Sequence, residues 1–191
     1  MTPSQPEDAY GAAQRLFRQK RYSEALSAYL DLANAGDPGA QAYVGWMYWG
    51  GMGTAVDKDK GFEWYRKAAA SGSALGAFCC GRAAWSRGSW KEAIEWFERG
   101  AEKGHGASLL WLGLTYVRGY GVPTDLHRGL EYLQKSAAAG NFFAKREIAL
   151  LMLRGKQGLR KVPAGLALLV RGAWEAFAQL RRDRNSDTLL G

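Results

Sequence analysis

The chain has 191 residues, 47% of them hydrophobic and 23% charged, a globular balance that excludes a mostly disordered protein and permits a proper core without staples. No run approaches 18 apolar residues, which excludes a membrane-spanning helix, and the two cysteines, Cys79 and Cys80, are adjacent, which excludes both a disulfide framework and a paired zinc motif. Of the net charge of +8, six units fall in residues 141–191, so the body is nearly neutral and lacks the basic stripe of a nucleic-acid binder.

The opening residues carry Glu7 and Asp8 and no basic-then-apolar order; the expected location is cytoplasmic. Small and apolar residues then recur at helical spacing, and turn residues cut them into pairs. A first helix is expected over 8–18 and its mate over 22–35, closed by Gly36-Asp37-Pro38-Gly39. The next pair, 38–50 and 58–71, is joined through Gly50-Gly51-Met52-Gly53. Further pairs follow at 74–86 with 90–103, at 106–118 with 126–139, and at 142–154 with 163–183, separated by Gly72, Gly104 and Gly140. No segment alternates like a strand, so the fold class is all-α. Residues 1–7 and 184–191 read as tails around one repeat domain, 8–183, with units over 8–36, 37–72, 73–104, 105–140 and 141–183.

The units are copies of one another. Offset by 68 residues, Gly45 falls on Gly113, Tyr48 on Tyr116, Gly51 on Gly119 and Gly53 on Gly121. In the same register Asp57 falls on Asp125, Gly61 on Gly129, Lys67 on Lys135 and Gly72 on Gly140. Two series of small residues trace the array: Ala13, Gly45, Gly81, Gly113, Ala149, and Ala25, Gly61, Ala93, Gly129, Gly165. From each second marker to the next first marker the distance is always 20 residues, whereas within a unit it is 12 or 16. All length variation therefore sits in one loop. That pattern predicts a stacked solenoid of five two-helix units, with the markers allowing close approach of helix backbones.

The long units, with Gly45, Tyr48, Gly51, Gly53, Asp57, Gly61, Lys67 and Gly72 at these spacings, resemble Sel-one-like repeats. The short units, with Arg21-Tyr22-Ser23-Glu24-Ala25 and Ser89-Trp90-Lys91-Glu92-Ala93-Ile94, look more like tetratricopeptide repeats. The last unit, 141–176, departs from the pattern: Met152 replaces the tyrosine, and only Gly155, Gly165 and Ala173 hold. The resemblance, covering about 8–180, implies a right-handed α-solenoid of the tetratricopeptide-like superfamily. Such arrays are reused as scaffolds, so it says little about a specific activity.

No chemistry-bearing constellation outweighs its structural reading. Glu92, Glu95, Glu98 and Glu102 interleave with Lys91, Arg99 and Lys103, as on a solvated helix face. The Gly50–Gly53 stretch lacks the lysine-serine ending of a phosphate loop. Asp57 and Asp125 are expected to cap second helices, Asp59 with them, and Asp57 and Asp59 have no further oxygen ligands at the spacing of a calcium loop. His105 and His127 share no motif, Cys80 aligns with Val44 and Leu112 as core, and no serine sits in a nucleophile elbow. Neither enzyme activity, cofactor nor metal is expected.

The first helices keep one face out of the core. Positions flanking the first markers give Tyr10, Gln14, Phe17; Ala42, Trp46, Trp49; Phe78, Arg82, Trp85; Leu110, Leu114, Val117; and Arg146, Leu150, Leu153. All but Gln14, Ala42, Arg82 and Arg146 are large and apolar, where a solvated groove would be polar. The expected function is a non-catalytic adaptor whose concave groove binds a peptide or helix of a partner protein through Tyr10, Phe17, Trp46, Trp49, Phe78, Arg82, Trp85, Leu110, Leu114 and Arg146. The competing structural reading has half of these residues packed between helices. No nucleic-acid partner is expected.

The second functional reading concerns the last helix. Leu166, Leu169, Val170, Ala173, Trp174, Phe177 and Leu180 form one apolar stripe, read as the packing side of a terminal cap with Arg171, Glu175, Gln179 and Arg182 outside. The alternative makes the protein a peripheral membrane-associated assembly factor. In it Trp174 and Phe177 enter a bilayer while Arg171, Arg181, Arg182 and Arg184 meet anionic headgroups; a membrane surface is the minor expectation.

Overall fold

The computed structural model describes residues 6–154 together with 163–168, 170–172 and 174. Among them lie nine helices: α1 (Pro6–Arg18), α2 (Tyr22–Asn34), α3 (Pro38–Gly50), α4 (Lys58–Ala70), α5 (Ala74–Ser86), α6 (Trp90–Glu102), α7 (Gly106–Arg118), α8 (Leu126–Ala138) and α9 (Phe142–Leu153). Residues 163–168 and 170–172 are helical as well, and no described residue is in a strand. The chain is an all-α solenoid of paired helices.

Local chemistry sets the helix starts. Asp37, Ser73, His105 and Asn141 stand one before α3, α5, α7 and α9, and each accepts a hydrogen bond from an amide of the first turn, that of Ala40, Gly76, Ser108 and Ala144 respectively. These bonds satisfy donors that a helix end otherwise leaves orphaned. In the long units Asp57 and Asp125 cap α4 and α8 by accepting from the amides of Lys60 and Arg128, each at 2.9 Å. Asp59 lies inside the first turn of α4 and makes no cap. The short units use no side-chain cap at Arg21 or Ser89. Instead, left-handed residues at matching positions, Lys20 (φ 62°) and Gly88 (φ 75°), turn the chain back within three residues.

The marker residues are where helix backbones meet. A Cβ added to Gly45 would lie 2.9 Å from the Gly61 carbonyl oxygen and 2.6 Å from the Tyr65 ring, and one added to Gly61 would meet the Gly45 carbonyl oxygen at 2.9 Å. Gly113 and Gly129 repeat the arrangement at 3.0 Å in both directions. Gly165 continues it against the Ala149 carbonyl oxygen, 2.9 Å from where its Cβ would stand. No side chain fits there.

The inserted loops are alike, as their sequence register predicts. Gly51 and Gly53 have φ of 69° and 74°, and Gly119 and Gly121 have 74° and 71°. The amide of Asp57 donates to the Tyr48 carbonyl at 2.9 Å, and that of Asp125 to the Tyr116 carbonyl at 2.8 Å. Each loop also brings a cation onto the repeat tyrosine: Lys60 Nζ lies 4.3 Å from the Tyr48 ring centre and Arg128 Cζ 4.3 Å from that of Tyr116.

Packing divides the chain inside α7 into two compact units, one ending at Ser108 and one beginning at Leu109. The first has a core around Tyr29, Val44, Met47 and Trp64, with Cys80 and Phe97 also fully buried. The second centres on Leu133, Ala144, Ile148 and Leu151.

The expected inward stripe of the last helix is corrected at three positions. Leu166, Val170 and Trp174 are 57, 64 and 70% exposed, while Gly165 and Gly172 are buried, Gly172 beside the Phe142 ring. The two glycines draw their own face against α9, which turns Leu166, Val170 and Trp174 outward. Leu169, Ala173, Phe177 and Leu180, with Glu175, Gln179, Arg181, Arg182 and Arg184, lie outside the described residues. Among the described residues no helix is long and apolar enough to cross a membrane.

Candidate functional site

Four of the groove residues read from the sequence come together in the first unit. Trp46 and Trp49 of α3 with Phe78 and Arg82 of α5 line one hollow of about 390 Å³, completed by Lys58, Tyr65, Cys79, Ala83 and Ser86. The Gly45–Gly61 contact explains the wall. By bringing α4 against α3, it sets the Tyr65 ring 6.2 Å from that of Trp49, and the α4 start carries Lys58 Nζ to 5.8 Å from the Trp49 ring centre.

Trp46 is 42% exposed. One face of its ring rests on Phe17 at 5.2 Å and its edge on Tyr43 at 6.2 Å. Behind it an aromatic stack continues inward, with Tyr43 parallel to Tyr29 at 5.0 Å and Tyr10 edge-on to both. This stack holds Trp46 in place, since an aromatic ring braced on two sides loses little freedom on binding.

The floor is chemically quiet. Tyr65 and Cys79 share a hydrogen bond, and burial pushes the Cys79 thiol up to about 11. Burial raises the Tyr65 hydroxyl well above its usual value too, with Arg82 opposing the shift in both groups. Cys80, behind it, is pushed up to about 12 by burial. Neither cysteine is a thiolate near neutral pH, so the pair is no nucleophile. Among the described residues no three of His, Cys, Asp and Glu cluster as metal ligands would.

The other groove candidates lie elsewhere. Trp85 is half-buried, edge-on to Trp90 at 4.5 Å and 6.4 Å from Phe97, so it belongs to the α5–α6 packing. Tyr10 and Phe17 are half-buried against the first core and support Trp46 without lining the hollow. Ala42 is buried. Leu110 packs on the second core, Leu114 is half-buried, and Arg146 is exposed beside Glu147 and the Phe143 ring.

Sequence reasoning missed Lys58, Tyr65, Cys79, Ala83 and Ser86. Tyr65 and Ala83 carried a signal: the first follows Gly61 by one helical turn and the second follows Cys79 by one. Lys58 carried none, because its position depends on how the inserted loop folds.

Comparison with known proteins agrees with this architecture. Residues 38–73, 91–105 and 106–141 match the Sel1 repeat. A solved Sel1 repeat protein from Oxalobacter formigenes is similar over 88% of this chain and 68% of its own, at 24% identity and a TM-score of 0.77. A second, from Klebsiella pneumoniae subsp. pneumoniae, is similar over 95% of this chain and 92% of its own, at 20% identity and a TM-score of 0.59. These two likenesses speak for the fold. An F-box protein of Arabidopsis thaliana is 27% identical over 104 residues, which is 54% of this chain but only 29% of the length of that relative.

Proposed function

Because three stretches of the chain match the Sel1 repeat and its fold is that of solved Sel1 repeat proteins, we propose that it is a protein-interaction scaffold whose hollow on α3, α4 and α5 receives an apolar side chain from a short segment of a partner protein. Proteins built from such repeats are generally interaction scaffolds. The observation that carries the finer reading is Trp46, a large aromatic left 42% exposed while braced by Phe17 and Tyr43. A ring held rigid, half in water, beside a hollow walled by Trp49 and Phe78 matches the way aromatic anchors concentrate binding energy. The partner segment lies across α3 and α5 and inserts one apolar side chain between the tryptophans and Phe78. The scaffold performs no bond chemistry in this reading; its contribution is a preorganised surface.

The test pairs capture with stability. Trp46→Ala is expected to abolish capture of a partner that the wild-type protein retains, with a melting temperature lowered by only a few degrees. Unchanged capture by the folded variant would overturn the proposal.

A further inference from the structure

We infer that the segment received by this hollow is acidic, presenting an aspartate or glutamate directly beside its apolar anchor. The inference rests on the scaffold reading above and adds the chemistry of the partner. Its basis is the charge of the rim. Of the residues lining the hollow, two are cationic, Lys58 and Arg82, and none is acidic. Among the described residues neither cation has an ion-pair partner: Lys58 Nζ sits toward the Trp49 ring at 5.8 Å, and the nearby Asp57 carboxylate is engaged in capping α4. Tyr65 and Cys79, which could have supplied a counter-charge, are held neutral by burial.

Several other cations are engaged within the molecule. Arg21, Arg87, Arg118 and Arg146 each lie beside a glutamate, and Lys60 and Lys67 lie over rings of their own helix pair at 4.3 and 4.1 Å. Arg82 follows the Gly81 marker where the long unit has Trp46 after Gly45, so it stands at an anchor position and points to the same opening. A carboxylate in reach of Lys58 and Arg82 gains two charge-assisted contacts, and the low-dielectric aromatic walls strengthen them over their value in open water. A basic segment would meet two like charges there, a cost that rejects the wrong partner.

The experiment is a selection of random twelve-residue peptides displayed on phage against the full chain. Recovered peptides are then measured against wild type, Trp46→Ala and the double variant Lys58→Glu/Arg82→Glu. The expected result is enrichment of Asp or Glu within two positions of an aromatic or aliphatic residue, and binding weakened about tenfold or more by the charge reversal. Raised salt should weaken wild-type binding and, by screening the new repulsion, strengthen the residual binding of the reversed variant. Both substituted cations are exposed, and an unchanged circular dichroism spectrum and melting temperature exclude a folding defect. Peptides that need Trp46 but show no acidic enrichment and bind the reversed variant equally would overturn this inference and leave the scaffold reading standing. Recovery of no peptide that depends on Trp46 would overturn both.

Discussion

Gly45 and Gly61 occupy positions where a methyl group has no room: the atoms it would meet belong to the facing backbone and to the Tyr65 ring, at 2.6 to 2.9 Å. Backbone cannot swing aside as a surface side chain can, so Gly45→Ala forces α3 from α4 and should cost about 1–3 kcal/mol. The wall formed by Trp49 and Tyr65 moves with it. Urea unfolding of the variant checks the magnitude; a midpoint equal to wild type would show that the two helices tolerate separation.

His105 is a second residue with an individual consequence. Its Nδ1 accepts the Ser108 amide at 3.3 Å and lies 3.0 Å from the Ser108 hydroxyl, its ring lies 5.1 Å from that of Phe78, and burial lowers its pKa from 6.5. The neutral ring is the capping form. As pH falls below about 6.5, the unfolded chain takes up a proton before the folded one does, so this group's stability is lost on acidification through the window down to the lowered folded value. The melting temperature should therefore drop between pH 7 and pH 5. His105→Asn, which places at this cap the residue found at 141, should flatten that drop while keeping α7 capped. An unchanged slope would contradict the assignment.

At the scale of the element, Trp49 and Trp85 occupy the same place in successive repeats, yet only Trp49 lines the hollow. After α3 an inserted loop delays the next helix until Lys58; after α5 the turn through Gly88 brings Trp90 back at once onto Trp85 at 4.5 Å. Loop length thus decides whether the half-buried ring at this position lines the hollow or packs against the next helix. Trp85→Ala should cost about 3 kcal/mol or more, whereas Trp46→Ala, losing a half-exposed ring, should cost about 1–2 kcal/mol. Thermal unfolding of the pair measures the difference, and equal losses would refute it. Asp57→Ala and Asp125→Ala should each cost about 1 kcal/mol by uncapping α4 and α8. The same difference explains what the sequence reveals. Helix ends are legible to within a residue or two because Asp, Ser, Asn and Gly at the ends announce them. Trp46, Trp49, Phe78 and Arg82 are legible because the glycine markers set the register. Trp85 stays outside the hollow because register alone does not say what the next turn folds over it. Lys58 is invisible for the same reason. The last helix is misread at Leu166, Val170 and Trp174 because Gly172, which has no side chain to mark it as apolar, joins the marker Gly165 on the packing side.

Across the whole molecule, one repeat is used for two purposes. The junction between units keeps its spacing, and with it the caps at Asp37, Ser73, His105 and Asn141. The loop within a unit varies, and with it the surface that each first helix presents. The hollow sets an exposed tryptophan and two cations over a floor of buried, neutral groups. The most direct test of the central claim is site-specific photo-crosslinking in the cell of origin. A benzophenone side chain would replace Ser86 on the rim of the hollow or, as control, Glu95 on exposed α6. A protein adduct from position 86 that disappears when Trp46→Ala is added, with none from position 95, is the predicted result. Adducts that form equally from both positions, or that survive the loss of Trp46, would contradict it.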